Sequence, residues 1–126
     1  MTVPQDIRRS KYVSLTTYRK DGTPVATPVW HVPDGDELVI VSEAEAWKVK
    51  RIRRNPDVVV TVCSFRGKVE PGAPSATGTA RLLDEAGTAN ARKLLGQRYI
   101  TSRLGNAVAK LLRLRRPPMI GIAIRL

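Results

Sequence analysis

The chain has 126 residues, 42% of them hydrophobic, and a formal net charge of +11; that is enough for one domain with one core and too apolar for global disorder. Its longest apolar runs, residues 58–60 and 38–41, are far too short to span a bilayer. Residues 1–6 lack the charged-then-apolar order of a signal peptide, so a cytoplasmic location is expected. The one cysteine, Cys63, excludes an intrachain disulfide and a cysteine-rich metal site. The positive charge leaves three classes of anionic partner open: nucleic acid, an acidic membrane surface or an anionic small molecule.

In chain order, residues 11–20 alternate as a strand, with Val13, Leu15 and Thr17 on one face and Tyr12, Ser14, Thr16 and Tyr18 on the other. Asp21-Gly22 is a hairpin turn signal. The return strand covers residues 23–31, where Pro24 and Pro28 cannot donate to a ladder and predict an edge or irregular rim. Asp34-Gly35 marks a second turn, and residues 37–42 form a third strand. Ser42 and Glu45 have the spacing of a capping box for a helix that buries Ala46, Val49 and Ile52 and stops at Asn55-Pro56. Residues 57–65 read as a fourth strand, apolar on both faces. Residues 66–74 are a loop, and 75–83 a fifth strand with Gly78 allowing a close backbone approach. Two helices, 85–95 and 102–115, and a last strand, 119–126, complete a β-β-β-α-β-β-α-α-β order. Tight turns make the first strands antiparallel neighbours. Six strands in so short a single domain, residues 1–126, predict a closed or nearly closed antiparallel barrel with flanking helices.

The helix after the third strand is the most informative segment. Trp47, Arg51 and Arg54 share its outward stripe with Lys50 beside them, while Lys48 lies on the flank of the core face. So many cations on one short helix suit a phosphate or carboxylate, although a charge run is more often a solvated face and cations favour a helix C-terminus in any case. Glu43 and Glu45 argue against an anion at the very start of the helix. Thr16, Thr17, Thr23 and Thr27 offer hydroxyls to a polar heterocycle, but threonine also simply favours strands. Trp30 fits core packing better than stacking. His31, the single histidine, cannot build a metal site with one cysteine, and a His31–Cys63 dyad lacks an orienting third group. Cys63 reads as a small buried hydrophobe. Hydrolase, P-loop and Rossmann motifs are absent from the sequence. Nucleic acid is not expected as the partner, because no aromatic–basic interleaving lines a strand. The basic amphipathic helix at 102–115 reads as packed on the barrel by its leucine stripe rather than lying on a membrane.

The stretches KYVSLTTYRKDGTPVATPVWHV, SEAEAWKVKRIRRNPDVVVTVC, ATGTARLLD and MIGIAIRL, in that order, resemble the pyridoxamine-5′-phosphate-oxidase-like split-barrel flavoproteins. They are more similar to the actinobacterial subgroup described as F420-dependent oxidoreductases. The resemblance implies a six-stranded FMN-binding-type split β-barrel and a homodimer with cofactor at its interface, without integral membrane association. The phosphate end of the cofactor is expected at Lys48, then at Lys50 and Arg51. The ring system is expected against Thr27, Pro28, Val29, Trp30 and Ser42, with the strand around Val60 to Val62 near the interface.

The arginine and lysine pattern that grips FMN in true pyridoxamine-phosphate oxidases is not evident in residues 24–32. Vitamin B6 oxidation is therefore not expected, and the deazaflavin F420, with its anionic tail, is favoured over FMN. The implied activity is hydride transfer between F420 and a small unsaturated substrate. The cofactor carries the chemistry and the protein aligns it. No catalytic residue or metal ligand is assigned; Tyr18 and Tyr99 are the candidate proton donors. The alternatives are an FMN-dependent oxidoreductase and a non-catalytic flavin, deazaflavin or haem carrier.

Overall fold

In the computed structural model, which describes residues 5–64, 66–99 and 118–126, one antiparallel sheet curls around a core. The elements are α1 (Gln5–Arg9), β1 (Tyr12–Tyr18), β2 (Pro24–Trp30), β3 (Val32–Asp34), β4 (Glu37–Glu43), α2 (Trp47–Arg54), β5 (Asp57–Val62), β6 (Ser75–Leu82), α3 (Glu85–Tyr99) and β7 (Met119–Arg125). Strand order is β2-β1-β5-β6-β7-β4-β3. The expected helix at 102–115 lies outside the described residues, and α1 had no counterpart in the sequence reading.

The sheet has seven strands rather than the expected six, and it is open. The expected strand at 23–31 forms as β2, and the additional strand is β3, in residues 32–34 that were expected only to lead into the turn. β2 pairs with β1 from Tyr12↔Trp30 to Tyr18↔Pro24, the chain bends at His31, and β3 pairs with β4 from Val32↔Val39 to Asp34↔Glu37. The chain changes partners at the bend, so β2 and β3 stand at opposite ends of the hydrogen-bonded order. The expected capping box does not form either. Ser42 stays in β4 opposite Ile120 and its hydroxyl donates to the Glu43 carbonyl (3.1 Å), while Ala46 takes the N-cap position with no side-chain cap. The Asp21-Gly22 turn forms as expected: Gly22 sits at φ 91°, and the Thr23 amide donates to the Asp21 carboxylate at 2.9 Å.

Inward positions alternate along each strand. Val13 and Leu15 of β1, Val58 and Val60 of β5, Ala80 of β6, Ile122 and Ile124 of β7, and Leu38 and Ile40 of β4 fill the interior. Val49 and Ile52 of α2 and Ile7 of α1 plug it. A second, smaller core lies on the other face of β3, β4 and β7, where Ala91 and Leu95 of α3 pack on Val32 and Val39 with Trp30 alongside. Gly121 permits this close docking: a Cβ there would sit 3.2 Å from the Thr88 backbone, and its amide donates to the Thr88 hydroxyl at 2.9 Å.

The two cores leave one half of the sheet's outer face uncovered. That half presents Ala26 and Pro28 of β2, Thr16 of β1, Val59 and Thr61 of β5, and Ser75, Thr77, Thr79 and Arg81 of β6, with Ser14 of β1 buried on the same side. The charged side chains on this face of those strands are Asp57, at the start of β5, and Arg81, near the end of β6, which pairs with Glu37.

Candidate functional site

The sequence WKVKRIRR turns five cations and no acid around the eight residues of α2. The buried pair Val49 and Ile52 fixes the helix phase and sorts the cations by direction. Lys48 and Arg51 are half-buried; Lys50, Arg53 and Arg54 are exposed.

Arg51 reaches back to the barrel, where its Nε donates to the Thr17 hydroxyl at 2.7 Å. Burial lowers its pKa, and the nearby Arg19 and Arg54 guanidiniums lower it further. Lys48 is pushed below the ordinary lysine value by burial first and by Arg51 second. Among the described residues neither Lys48 nor Arg51 has a carboxylate in ion-pair contact; the ion pairs are Lys68–Glu70 and Arg81–Glu37. Two like charges held against apolar walls without a counter-ion favour binding an anion there.

The other expected site residues are distributed as follows. Lys50 does not join Lys48: its Nζ lies 4.8 Å from the centre of the Trp47 ring, a cation–π contact on the outward side. Thr27 and Val29 face inward along β2, opposite Leu15 and Val13, and Val29 packs on the main core. Pro28 faces outward, and Gly67 of the following loop folds close over it, such that a Cβ on Gly67 would lie 3.3 Å from the proline ring. Trp30 joins the second core, as packing logic predicts. Ser42 is buried and points inward from β4.

A cleft of about 610 Å³ opens at the uncovered face, lined by Tyr18, Asp57, Val58, Val59, Thr77, Gly78, Thr79, Arg125 and Leu126. Neither Lys48 nor Arg51 lines it. The sequence reading singled out Tyr18 but missed Thr77, Thr79 and Arg125. The regular spacing of Ser75, Thr77 and Thr79 on one strand face was their one available signal.

His31 belongs to the frame rather than to the chemistry. It is fully buried at the β2–β3 bend, and its Nε2 donates to the Ser10 carbonyl at 2.8 Å. Arg98 of α3 donates to that same carbonyl at 2.8 Å and to that of Arg8 at 3.0 Å, which ties α1 and α3 to the bend. Burial, and then Arg98, lowers its pKa to about 4. Burial also pushes the Cys63 thiol up, away from thiolate chemistry. No group of three or more potential metal ligands occurs among the described residues.

An open antiparallel barrel plugged by a basic helix, with a face of mostly small and hydroxyl side chains beside it, defines a split-barrel protein. The family model described as pyridoxamine 5′-phosphate oxidase matches residues 3–117, and the chain belongs to that family. Among solved structures, an F420 reductase is 25% identical with a TM-score of 0.66, the match covering 98% of this chain and 94% of that one. A candidate pyridoxamine 5′-phosphate oxidase from Listeria innocua is 24% identical (TM-score 0.60; 94% and 86% covered). HutZ, the haem storage protein from Vibrio cholerae, shares the fold at 13% identity (TM-score 0.69; 96% and 84% covered). No curated protein matches the chain.

Proposed function

We propose that this protein is an F420-dependent oxidoreductase that acts on small unsaturated organic substrates as a homodimer with cofactor at the subunit interface. The observation that carries this reading is the half-buried pair Lys48 and Arg51, which lacks a protein counter-ion among the described residues. A phosphodiester meets that need. The F420 reductase at 25% identity supports the deazaflavin over FMN.

In this reading Lys48 holds the phosphate, and Arg51 stays aimed by its bond to Thr17. Thr27, Pro28, Val29 and Trp30 lie on the strand against which the ring rests, and Ser42 extends that wall from β4. A bound deazaflavin supplies hydride exchange at its C5. The chain's task is to orient the ring, keep water from it and leave one face open to substrate. A second copy laid on the uncovered sheet face would roof the cleft at Tyr18, Val59, Thr77 and Thr79. Tyr18, in that cleft, is the proton donor we favour. Haem fits poorly: the single histidine is enclosed and bonded to Ser10, so it offers no axial ligand.

Separate titrations with F420, FMN and haem, followed by fluorescence or absorbance, test the assignment. Preferred F420 binding is expected, together with oxidation of reduced F420 by a conjugated acceptor. Preferred FMN binding would replace the cofactor, and binding without turnover would make the protein a carrier.

A further inference from the structure

The described residues expose two large hydrophobic side chains, and the larger is Trp47, 71% exposed on the first turn of α2. An indole so placed contributes nothing to the core, and its neighbours are cations. Lys50 lies over its ring, and Arg54 follows on the same stripe. This outward stripe is distinct from Lys48 and Arg51, which are drawn toward the barrel.

We propose that the outward face of α2 docks on an acidic membrane surface, with Trp47 entering the headgroup layer and Lys50 and Arg54 facing anionic lipid phosphates. The chemistry of the stripe selects this occupant. Tryptophan flanked by lysine and arginine suits the bilayer–water boundary, where the ring is half solvated and the cations meet negative potential. A small ligand would need a concave site, and this is the convex side of a helix. A single-stranded nucleic acid would need successive stacking platforms, and here there is one. A second copy set symmetrically on this stripe would bring like charges together. No helix among the described residues is long and apolar enough to cross a membrane, so the contact is peripheral.

Co-sedimentation of the full chain with vesicles tests the proposal, using phosphatidylcholine alone and phosphatidylcholine with about a third phosphatidylglycerol, at roughly 0.15 M salt. Binding to the acidic vesicles alone is expected, with a blue shift of tryptophan emission. Trp47→Ala should weaken partitioning by about tenfold or more, the effect of withdrawing one large apolar side chain. Lys50→Ala and Arg54→Ala should each weaken it about fivefold. These side chains are exposed, so unchanged thermal midpoints will show that the variants fold. Failure to bind acidic vesicles would overturn the proposal, as would binding that Trp47→Ala leaves intact. Preferential binding of a single-stranded oligonucleotide, with quenching of Trp47, would assign the face to nucleic acid instead.

Discussion

His31 shows how much a single side chain gains from the fold. In the sequence it was a lone titratable residue, a poor metal ligand and half of an unconvincing dyad. Its partners are Ser10, a separation of 21 residues, and Arg98, so nothing local could reveal its role. The sign of its pH dependence follows from its shift. The folded pKa of about 4 lies below the ordinary 6.5, so the unfolded chain binds the extra proton first. The stability owed to neutral His31 is complete above pH 6.5 and is lost as pH falls toward 4, by on the order of 3 kcal/mol. Thermal unfolding midpoints measured across that window should drop with acid in the wild type and show a shallower slope in His31→Gln. Lys48, by contrast, was legible in advance, because helical spacing alone set it on the flank of the face that Val49 and Ile52 bury. The same spacing set Lys50 beside the outward stripe, where it meets Trp47, but it also put Arg51 on that stripe, whereas the Arg51 side chain reaches back to Thr17.

Elements read well where their signals were local. Asp21-Gly22, Asn55-Pro56 and the alternation in β1 and β7 each encode their geometry within a few residues. The break between β2 and β3 does not, because it depends on which strand each half meets. Ser42 and Glu45 match a capping box, yet pairing of β4 with β7 continues to Glu43↔Met119 and holds Ser42 in the sheet. Glycines divide in the same way. Gly78 was flagged from its strand context, and a Cβ there would lie 2.5 Å from the Arg125 carbonyl oxygen, a backbone atom that cannot swing aside. Gly78→Ala should therefore destabilise the β6–β7 pairing by about 1–3 kcal/mol. Gly96, inside α3, has open space around it. Gly96→Ala should stabilise by about 0.5–1 kcal/mol, because it removes only the helix cost of glycine. Denaturant midpoints of the two variants should move in opposite directions.

At the scale of the molecule, a chain carrying +11 limits the charges on the uncovered strands to Asp57 at one end and Arg81, paired with Glu37, at another. A solvated surface has no need of that economy, whereas a face between two copies does. Val59 lies near its middle, between Thr16 and Thr77. Val59→Lys should convert a dimer to a monomer in sedimentation velocity, because an unpaired charge buried in an interface costs several kcal/mol; a wild type that sediments as a monomer would remove the interface from the account. Composition raised the expectation of an anionic partner, but the fold was needed to distinguish cations confined against the barrel from those on its rim. The most direct test of the central claim is therefore a fluorescence titration of F420 into wild type, Lys48→Ala and Lys50→Ala. The account predicts that Lys48→Ala weakens binding tenfold or more, about 1.4 kcal/mol, and that Lys50→Ala changes it by less than about threefold. Equal affinity for wild type and Lys48→Ala, or no F420 binding at all, would contradict it.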